Sequence, residues 1–387
     1  MRIPPASTTW EAESNVINDP ETPHMERWRD PESGVKVLRL TSLPLVNSHI
    51  YPEAPVSTPD GRRFVFRRLD PSTRAIRFWI ADIETRLIRQ VTDEPDASAP
   101  MITADGRWWI YSTQNRVVRM DPATFEREEC MAIPPEIGAG GLGIWSLSYC
   151  GTRALVYSRR AGQPAAIATL DLERRTARIV FAHRDIPGHM QYCRGRSYRV
   201  LLQVNDGIRF DAEGNRLQLV GENGASLWVG NDDGTGFERL NAGGSRLEHV
   251  QGHECWVGPE ERAILTLHHR ARVEDPWIQG RIVTIAPGEK QYRVVGEGEG
   301  FTHIHTSPDG RWWVSECNRT SRVFVGSVKT GRYRLFVNTG ASFGSPQYTH
   351  PHPFFLGDGK SIGWNSDVTG VPHVYVARVP EGFTDGL

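Results

Sequence analysis

The sequence lacks the features that mark several classes of protein. No segment approaches 18 uninterrupted apolar residues, and residues 1–16 contain no basic stretch followed by an apolar one, so neither a transmembrane helix nor a secretory signal is predicted. The 45 Lys and Arg residues are balanced by 46 Asp and Glu, which gives no electrostatic reason to expect nucleic acid or a membrane as a partner. The five cysteines include no CxxC pair, so no disulfide framework or thiolate zinc site is indicated. A soluble, cytoplasmic protein is expected.

Glycine and proline are frequent, whereas long runs of helix-forming residues are scarce. The chain contains 38 Gly, 26 Pro and 12 Trp among 387 residues. This mixture favours many short strands joined by turns.

A turn followed by an apolar strand recurs seven times along the chain. The repeats are STPDGRRFVF at 57–66, ITADGRWWIY at 102–111, SYCGTRALVY at 148–157, CRGRSYRVLL at 193–202, VGPEERAILT at 257–266, TSPDGRWWVS at 306–315 and FLGDGKSIGW at 355–364. Asp-Gly between two apolar runs is a strong hairpin signal. A period of about 45 residues that holds four short strands is typical of a β-propeller. The predicted fold is therefore all-β, a β-propeller of seven blades.

The two ends of the chain predict how this propeller closes. GVKVLRLTS at 34–42 precedes the first repeat, and the last repeat ends after HVYVARVP without a fourth strand. We expect the N-terminal strand to complete the last blade, because a linear array would leave an open edge. Residues 1–24 are expected to form a polar arm. Residues 25–387 are expected to form one propeller domain, with a hairpin inserted at about 203–225.

Six histidines have similar positions in the repeats when these are aligned on their turns. Three stand seven residues before the turn and the others lie nearby; the six are His49, His189, His253, His303, His350 and His352. A single histidine at such a position is more often a strand cap than a ligand. In a propeller, however, a residue about seven positions before this turn lies where the innermost strand of a blade begins. Equivalent residues of different blades converge there on the central channel. The shared register favours one common site.

The HPHP segment near the C-terminus suits a metal ion. His350 and His352 are two residues apart, so on an extended segment both imidazoles would point to the same side. Gln347 is the nearest amide. Histidine nitrogens with an amide oxygen and no thiolate favour manganese, iron, nickel or zinc.

Four motifs carry a resemblance to a known family. They are PGH at 187–189, HECW at 253–256, THIHTSPDG at 302–310 and QYTHPHPFFLGDGKSIGWNSDVTGVPHVYVARV at 347–379. From about residue 26 to residue 380 the chain resembles the oligogalacturonate lyases, which are metal-dependent, seven-bladed polysaccharide lyases.

The resemblance implies specific roles for residues. It implies that His303, Gln347, His350 and His352 bind the metal, usually manganese, and that His253 is the catalytic base. The implied reaction is β-elimination at a uronate, which leaves a 4,5-unsaturated product.

One position departs from the family pattern. An arginine of the family precedes a W-x-x-N-x-D-G stretch, and Ser226 occupies its place in ASLWVGNDDG. Serine offers no charged fork to a carboxylate. Arg209 in the inserted hairpin is a candidate substitute, and a different substrate is the other explanation. The expected substrate contacts are His49, Tyr51, His189, Arg209 and Ser226; Tyr51 or Trp145 could stack on a sugar ring.

Two other functions remain open from the sequence. One is a lyase that acts on another uronate linkage, such as glucuronate joined to rhamnose. The other is a non-catalytic propeller that binds a carbohydrate or a protein. The expected partner is an oligouronate substrate, and the sequence leaves the oligomeric state open.

Overall fold

Almost all regular structure in the described residues consists of β-strands. The computed structural model describes residues 16–17, 27–137, 143–158, 160, 163–205, 209–210, 216–218, 224–345 and 347–387. These residues form thirty-two strands and one short 3-10 helix, Pro135–Ile137. The predicted all-β class is confirmed. Within the part of the chain that the structure describes, no helix is long and apolar enough to cross a membrane.

The strands are short and follow one another closely. In chain order they are β1 (Val16–Ile17), β2 (Arg27–Arg29), β3 (Lys36–Arg39), β4 (Asn47–His49), β5 (Arg63–Leu69), β6 (Ile76–Asp82), β7 (Leu87–Gln90), β8 (Met101–Ile102), β9 (Trp109–Thr113), β10 (Arg116–Met120), β11 (Arg127–Ala132), β12 (Ile144–Leu147), β13 (Arg153–Ser158), β14 (Ala166–Asp171), β15 (Thr176–Ala182), β16 (Ile186–Tyr192), β17 (Arg199–Asn205), β18 (Arg209–Phe210), β19 (Arg216–Gln218), β20 (Ala225–Asn231), β21 (Glu238–Arg239), β22 (Glu248–Trp256), β23 (Ala263–His269), β24 (Ile278–Ile285), β25 (Arg293–Gly296), β26 (Phe301–Thr306), β27 (Trp312–Cys317), β28 (Arg322–Ser327), β29 (Tyr333–Asn338), β30 (Phe354–Phe355), β31 (Ser361–Ser366) and β32 (His373–Arg378).

Neighbouring strands along the chain pair as antiparallel sheets. The sheet orders are β1-β7-β6-β5-β4, β11-β10-β9-β8, β12-β13-β14-β15, β16-β17-β20-β22-β23-β24-β25 with β21 on β20, β18-β19, β26-β27-β28-β29 and β2-β3-β32-β31-β30. In the long sheet, the pairing of Ala225 with Val250 is the link between β20 and β22. β4, β16 and β26, which carry His49, His189 and His303, are edge strands of their sheets, whereas β22, which carries His253, lies inside the long sheet.

The repeated turns have the geometry that their glycines predict. Gly61, Gly106 and Gly310 have φ of 69°, 73° and 72°, a region that side chains with a Cβ rarely occupy. In the first turn, Gly61 N donates to Thr58 O at 2.8 Å, and Thr58 Oγ1 donates to Asp60 at 2.6 Å. Such turns end one strand and start the next within a few residues.

Strand β3, near the start of the chain, and β32, the last strand, lie in one sheet. Val37 of β3 pairs with Ala377 of β32, and Arg39 pairs with Tyr375. Of the predicted arm 1–24, all but 16–17 lies outside the described residues. In the segment predicted as an inserted hairpin, β18 pairs with β19.

The core lies between sheets. Phe64, Trp109 and Phe354 come from three different sheets but belong to one buried apolar cluster. Trp109 and Trp313 follow equivalent turns and are both fully buried. Burying a large side chain contributes about 1.5–3 kcal/mol, so the sheets are held together by their apolar faces. This packing brings strands of different sheets together: β26 contacts both β22 and β30.

Candidate metal centre and active site

Three imidazoles meet at the junction of β26 with the segment before β30. One ligand atom from each of His303, His350 and His352 lies within 4.8 Å of the others. The ring centroids of His303 and His352 are 3.9 Å apart, and those of His350 and His352 are 5.7 Å apart. His303 and His352 are buried, while His350 is half-buried. This histidine triad could hold a metal ion, because imidazole nitrogens suit divalent transition metals.

The backbone, and not strand alternation, brings His350 and His352 together. Both residues precede β30, and His352 has φ of 47°, in the left-handed region. That conformation costs roughly 1–3 kcal/mol for a residue with a side chain and persists where surrounding structure imposes it. The two imidazoles converge as expected. The expected cause, an extended segment with alternating side chains, is wrong.

A buried carboxylate orients His303. Nδ1 of His303 makes a short hydrogen bond to Glu316 Oε1, and Thr302 Oγ1 donates to the same oxygen at 2.6 Å. Burial raises the pKa of Glu316 to about 7, against the effect of the Thr302 hydrogen bond. Because Nδ1 is engaged, Nε2 is the atom that His303 offers to a metal. Sequence reasoning missed Glu316, although a charged residue inside the apolar strand WWVSEC was a signal.

His253 lies directly against the triad. Its ring centroid is 3.8 Å from that of His303. The pairing of β22 with β23 shifts register between Val250 and Glu254, and Gly252 within this irregularity has φ of 83°; such bulges re-aim side chains. Burial and the neighbouring imidazoles lower the pKa of His253 well below its usual value. The ring is therefore neutral, the form required of a base.

Tyr51 and His189 border the triad. The Tyr51 ring centroid is 5.7 Å from His303, 5.4 Å from His352 and 5.3 Å from His189. The His189 side chain remains 27% exposed, and His189 has φ of 46°. Burial lowers the pKa of His189 to about 4. Both residues lie where the sequence placed them, and their roles as substrate contacts stay predictions.

His49 lies beneath the site. Its side chain has no exposed surface, and its ring packs on Phe354 with centroids 4.6 Å apart. Its backbone N–H donates to Asn365 Oδ1 at 2.8 Å. A substrate could not reach this ring in the present arrangement, so a packing role explains its contacts, and the predicted substrate contact stays a prediction.

Gln347 is held by an arginine that the sequence did not indicate. Arg67 Nη2 donates to the carbonyl oxygen of Gln347 at 2.8 Å and lies 3.4 Å from its Oε1. Arg67 Nε donates to Ser48 Oγ at 2.7 Å, and its guanidinium is 5.3 Å from the ring centroid of Tyr348. Residues 67 and 347 are far apart in sequence, so no local pattern reveals this pairing.

The remaining predicted contacts are placed as follows. Ser226 lies on β20 opposite Val204, where its Oγ accepts a hydrogen bond from Trp228 Nε1 at 3.1 Å. Arg209 lies in β18 and pairs with Gln218. Trp145 on β12 is 42% exposed. None of these positions is among the ring contacts that define the triad and its neighbours.

Comparison with known proteins supports the family resemblance. No known protein-family model matches the chain. The oligogalacturonide lyase of Pectobacterium atrosepticum and the oligogalacturonate lyase of Dickeya dadantii are each 22% identical over 399 residues, which span 92% of this chain and 96% of each relative. A solved oligogalacturonate lyase in complex with manganese superimposes with a TM-score of 0.74 at 20% identity, covering 92% of this chain and 96% of that one. The predicted resemblance to oligogalacturonate lyases is confirmed, and the fold is shared.

Proposed function

Because the chain is similar to oligogalacturonate lyases over nine tenths of its length, we propose that it is a metal-dependent lyase that cleaves uronate-containing oligosaccharides by β-elimination. The leading substrate is an oligogalacturonate. The observation that carries the proposal is the convergence of the histidine triad with a fourth imidazole, that of His253, whose ring centroid lies 3.8 Å from that of His303.

The residues of the triad fit a divalent transition metal. His352 Nδ1 is buried and has no hydrogen-bond partner among the described residues, and Glu316 orients His303 as carboxylates orient metal-binding imidazoles. We assign Gln347 as the fourth ligand and manganese as the metal, supported by the nitrogen-rich donor set and by the manganese complex of the solved lyase. A bound cation supplies positive charge that stabilises the carbanion formed next to the substrate carboxylate.

His253 is the residue we assign to proton abstraction. A proton α to a carboxylate is weakly acidic, so its removal needs a base held within hydrogen-bond reach. Neutral His253 can take that proton from C5 of the uronate while the O4 substituent departs, which leaves the 4,5 double bond. Tyr51 and His189 border the space beside His303 and are assigned to positioning the sugar.

Arg67 is the residue we propose in place of the family arginine that Ser226 replaces. Its guanidinium already donates to one oxygen of Gln347, so it lies beside the proposed metal ligand. A guanidinium can bind a carboxylate through two parallel hydrogen bonds. Arg209 remains the alternative assignment.

The same proposal includes the architecture around the site. We infer seven blades, with the long sheet counted as two because one residue pair links its halves, and closure of the last blade by β3, supported by its pairing with β32. One domain over residues 25–387 follows. The five free cysteines support a reducing, cytoplasmic location.

The test is ultraviolet absorbance of the unsaturated product during incubation with digalacturonate and trigalacturonate. The full-length protein is assayed with added manganese, without it, and with a chelator. A manganese-dependent rise is expected. No rise despite bound metal would favour another uronate linkage, such as rhamnose–glucuronate, and no rise without bound metal would favour a binding propeller.

A further inference from the structure

His350 differs from the other two histidines of the triad in how its ring is held. His303 is oriented by a hydrogen bond to Glu316, and His352 is buried. His350 is half-buried, and the hydrogen bond that the described residues make to it involves only its backbone oxygen, from Asn365 Nδ2 at 3.4 Å. The orientation of the His350 imidazole therefore depends on packing.

The ring of Phe343 supplies that packing. Its centroid is 4.7 Å from that of His350, with the two planes inclined at 59°. Among the described residues, the only other rings in contact with His350 are those of His303 and His352. Aromatic rings at such a separation attract each other in preferred orientations. Phe343 is thus the contact from outside the triad that restricts rotation of the His350 side chain.

The backbone at Phe343 has a conformation that phenylalanine rarely adopts. Its φ is 56°, in the left-handed region, where a residue with a Cβ is strained and glycine is not. Such strain persists only where the surrounding structure imposes it, and it is concentrated at functional sites. The contact with His350 gives this strained residue a place in the metal centre.

Asp367, which directly follows β31, imposes the conformation. Its Oδ1 accepts a hydrogen bond from Ser342 N at 2.8 Å, and its Oδ2 accepts one from Ser342 Oγ. Gly344 N donates to Ser342 Oγ at 3.1 Å, so the residues on both sides of Phe343 are tied together. A carboxylate at the end of a core strand thereby holds the backbone that directs the ring towards His350.

A turn brings Phe343 and His350 together although they are seven residues apart. Ser345 N donates to Thr349 Oγ1 at 2.8 Å, and Thr349 N donates to Ser345 O at 3.1 Å. Gln347, the proposed fourth ligand, lies inside this turn. The segment that carries two proposed metal ligands therefore starts at the residues that Asp367 holds.

We propose that Phe343 is a positioning residue of the metal centre, which sets the orientation of the His350 imidazole and is itself held by Asp367. This inference rests on the proposed function, in which His350 binds the metal. At His303 a carboxylate fixes the imidazole through a hydrogen bond, and at His350 an aromatic ring does so by packing. Replacing a residue that orients a metal-binding imidazole typically costs about 10–100-fold in metal affinity.

The experiment measures manganese affinity on the full-length protein. Protein stripped with a chelator is titrated with manganese chloride, and bound metal is measured by equilibrium dialysis with elemental analysis. Phe343→Gly removes the ring and fits the left-handed backbone, so the metal-free variant should stay folded by circular dichroism while its manganese affinity falls about tenfold or more. His350→Ala should lose the ion.

Phe125→Gly is the matched control. Phe125 is also half-buried, has φ of 63° and lies in the turn between β10 and β11. Its ring lies 3.7 Å from the guanidinium carbon of Arg89, and it contacts no histidine of the triad. This variant changes the same residue type in the same backbone conformation, so it should bind manganese as the wild type does.

Variants of Asp367 test how Phe343 is held. Asp367→Ala should weaken manganese binding as Phe343→Gly does, and Asp367→Asn should recover most of the loss because an amide oxygen can still accept from Ser342 N. The double variant of Phe343→Gly and Asp367→Ala should bind no more weakly than Phe343→Gly alone, since both changes act on one ring. A double variant that adds the two losses would overturn the role of Asp367.

The outcomes separate this inference from the proposed function. Wild-type affinity in Phe343→Gly, together with a lost ion in His350→Ala, would overturn the positioning role and leave the proposed metal centre intact. Equal losses in Phe343→Gly and Phe125→Gly would also overturn it, because they would reflect general destabilisation. Wild-type affinity in His350→Ala would overturn both the positioning role and the assignment of the triad as the metal site.

Discussion

The histidine triad and a second group, the carboxylate cluster of Glu53, His189 and Glu254, both lie near Tyr51. Their buried polar groups are satisfied in different ways. At the triad, the buried carboxylate of Glu316 receives hydrogen bonds from His303 and Thr302. At the cluster, the buried carboxylate of Glu254 receives none from the described residues. Burial raises the pKa of both carboxyls, but the hydrogen bond from Thr302 opposes that rise at Glu316, whereas the charge of Glu53 adds to it at Glu254. The protonation of a buried carboxyl therefore depends on its hydrogen-bond donors and neighbouring charges as well as on burial.

The largest expected effect is the loss of turnover in His253→Ala, which distinguishes the proposed base from the proposed metal ligands. His253→Ala should lower turnover by about 10²–10⁴-fold, the usual contribution of a general base, while the triad keeps its metal. His350→Ala should lose both turnover and the metal of the triad. Product absorbance and metal content measure the two properties.

His268→Ala is the control, because His268 lies at the end of β23 next to His249 and not in the triad. It should retain turnover. Full activity in His253→Ala would contradict the assignment of the base.

The next largest effect is a loss of kcat/KM when the positive charge of Arg67 is removed. Arg67→Gln should lower kcat/KM about 10–100-fold, because a hydrogen bond to a charged group is worth about 1.5–3 kcal/mol, while manganese affinity stays within a few-fold. Arg67→Lys should recover part of the loss, since it keeps the charge without the fork.

Arg62→Gln changes an exposed arginine at the start of the same hairpin, paired with Asp82 and Glu84, and should have wild-type kinetics. If Arg67→Gln behaved like Arg62→Gln, Arg209 would become the leading candidate for the substrate carboxylate.

A third prediction compares the two regions directly in metal-free protein. Glu316→Gln should destabilise the fold by about 1–3 kcal/mol, because a neutral amide oxygen accepts the hydrogen bonds of His303 and Thr302 more weakly than a carboxylate does. Glu254→Gln should have no such cost. Urea denaturation of both variants, with the wild type alongside, measures the difference in unfolding free energy; equal losses would mean that the two carboxylates have equivalent surroundings.

The smallest expected effect is a pH dependence to which the carboxylate cluster contributes through Glu53. Burial raises the pKa of Glu53 to about 8, so between the unfolded value near 4.5 and that pKa the folded state binds the extra proton. Stability of the metal-free protein should then fall as pH rises through this window. Glu53→Gln should therefore gain a few degrees in Tm over the wild type at pH 8 and little at pH 5.

The buried histidines make stability depend on pH in the opposite direction to Glu53, and they provide an internal comparison. Burial lowers the pKa of His49 to about 3 and that of His268 to about 4, so the unfolded state binds more protons below pH 6.5 and stability falls as the pH drops towards 4. That acid loss should be the same in Glu53→Gln and in the wild type. A Tm difference between them that does not vary with pH would contradict the Glu53 assignment.

Much of this molecule could be predicted from the sequence because its signals are local. The turn at Gly61 and its relatives identify strands on both sides, since glycine there must adopt positive φ. The register of His253, His303 and His352 against those turns predicted that their imidazoles would share one end of the fold. The motifs around these histidines also carried the family resemblance, which comparison with known lyases confirmed.

Tertiary structure decided what surrounds those histidines. Glu316 reaches His303, Arg67 reaches Gln347, and Glu254 faces His189; each contact joins residues whose spacing in sequence follows no repeat. The same is true of the burial of His49, which shares the register and whose ring packs on Phe354, 5.9 Å from the ring of His352. A local pattern can specify where a strand begins and which way its side chains alternate, because neighbours in sequence determine both. Which carboxylate gains a partner, and which is left without one, depends on how separate sheets pack, and only the assembled fold determines that.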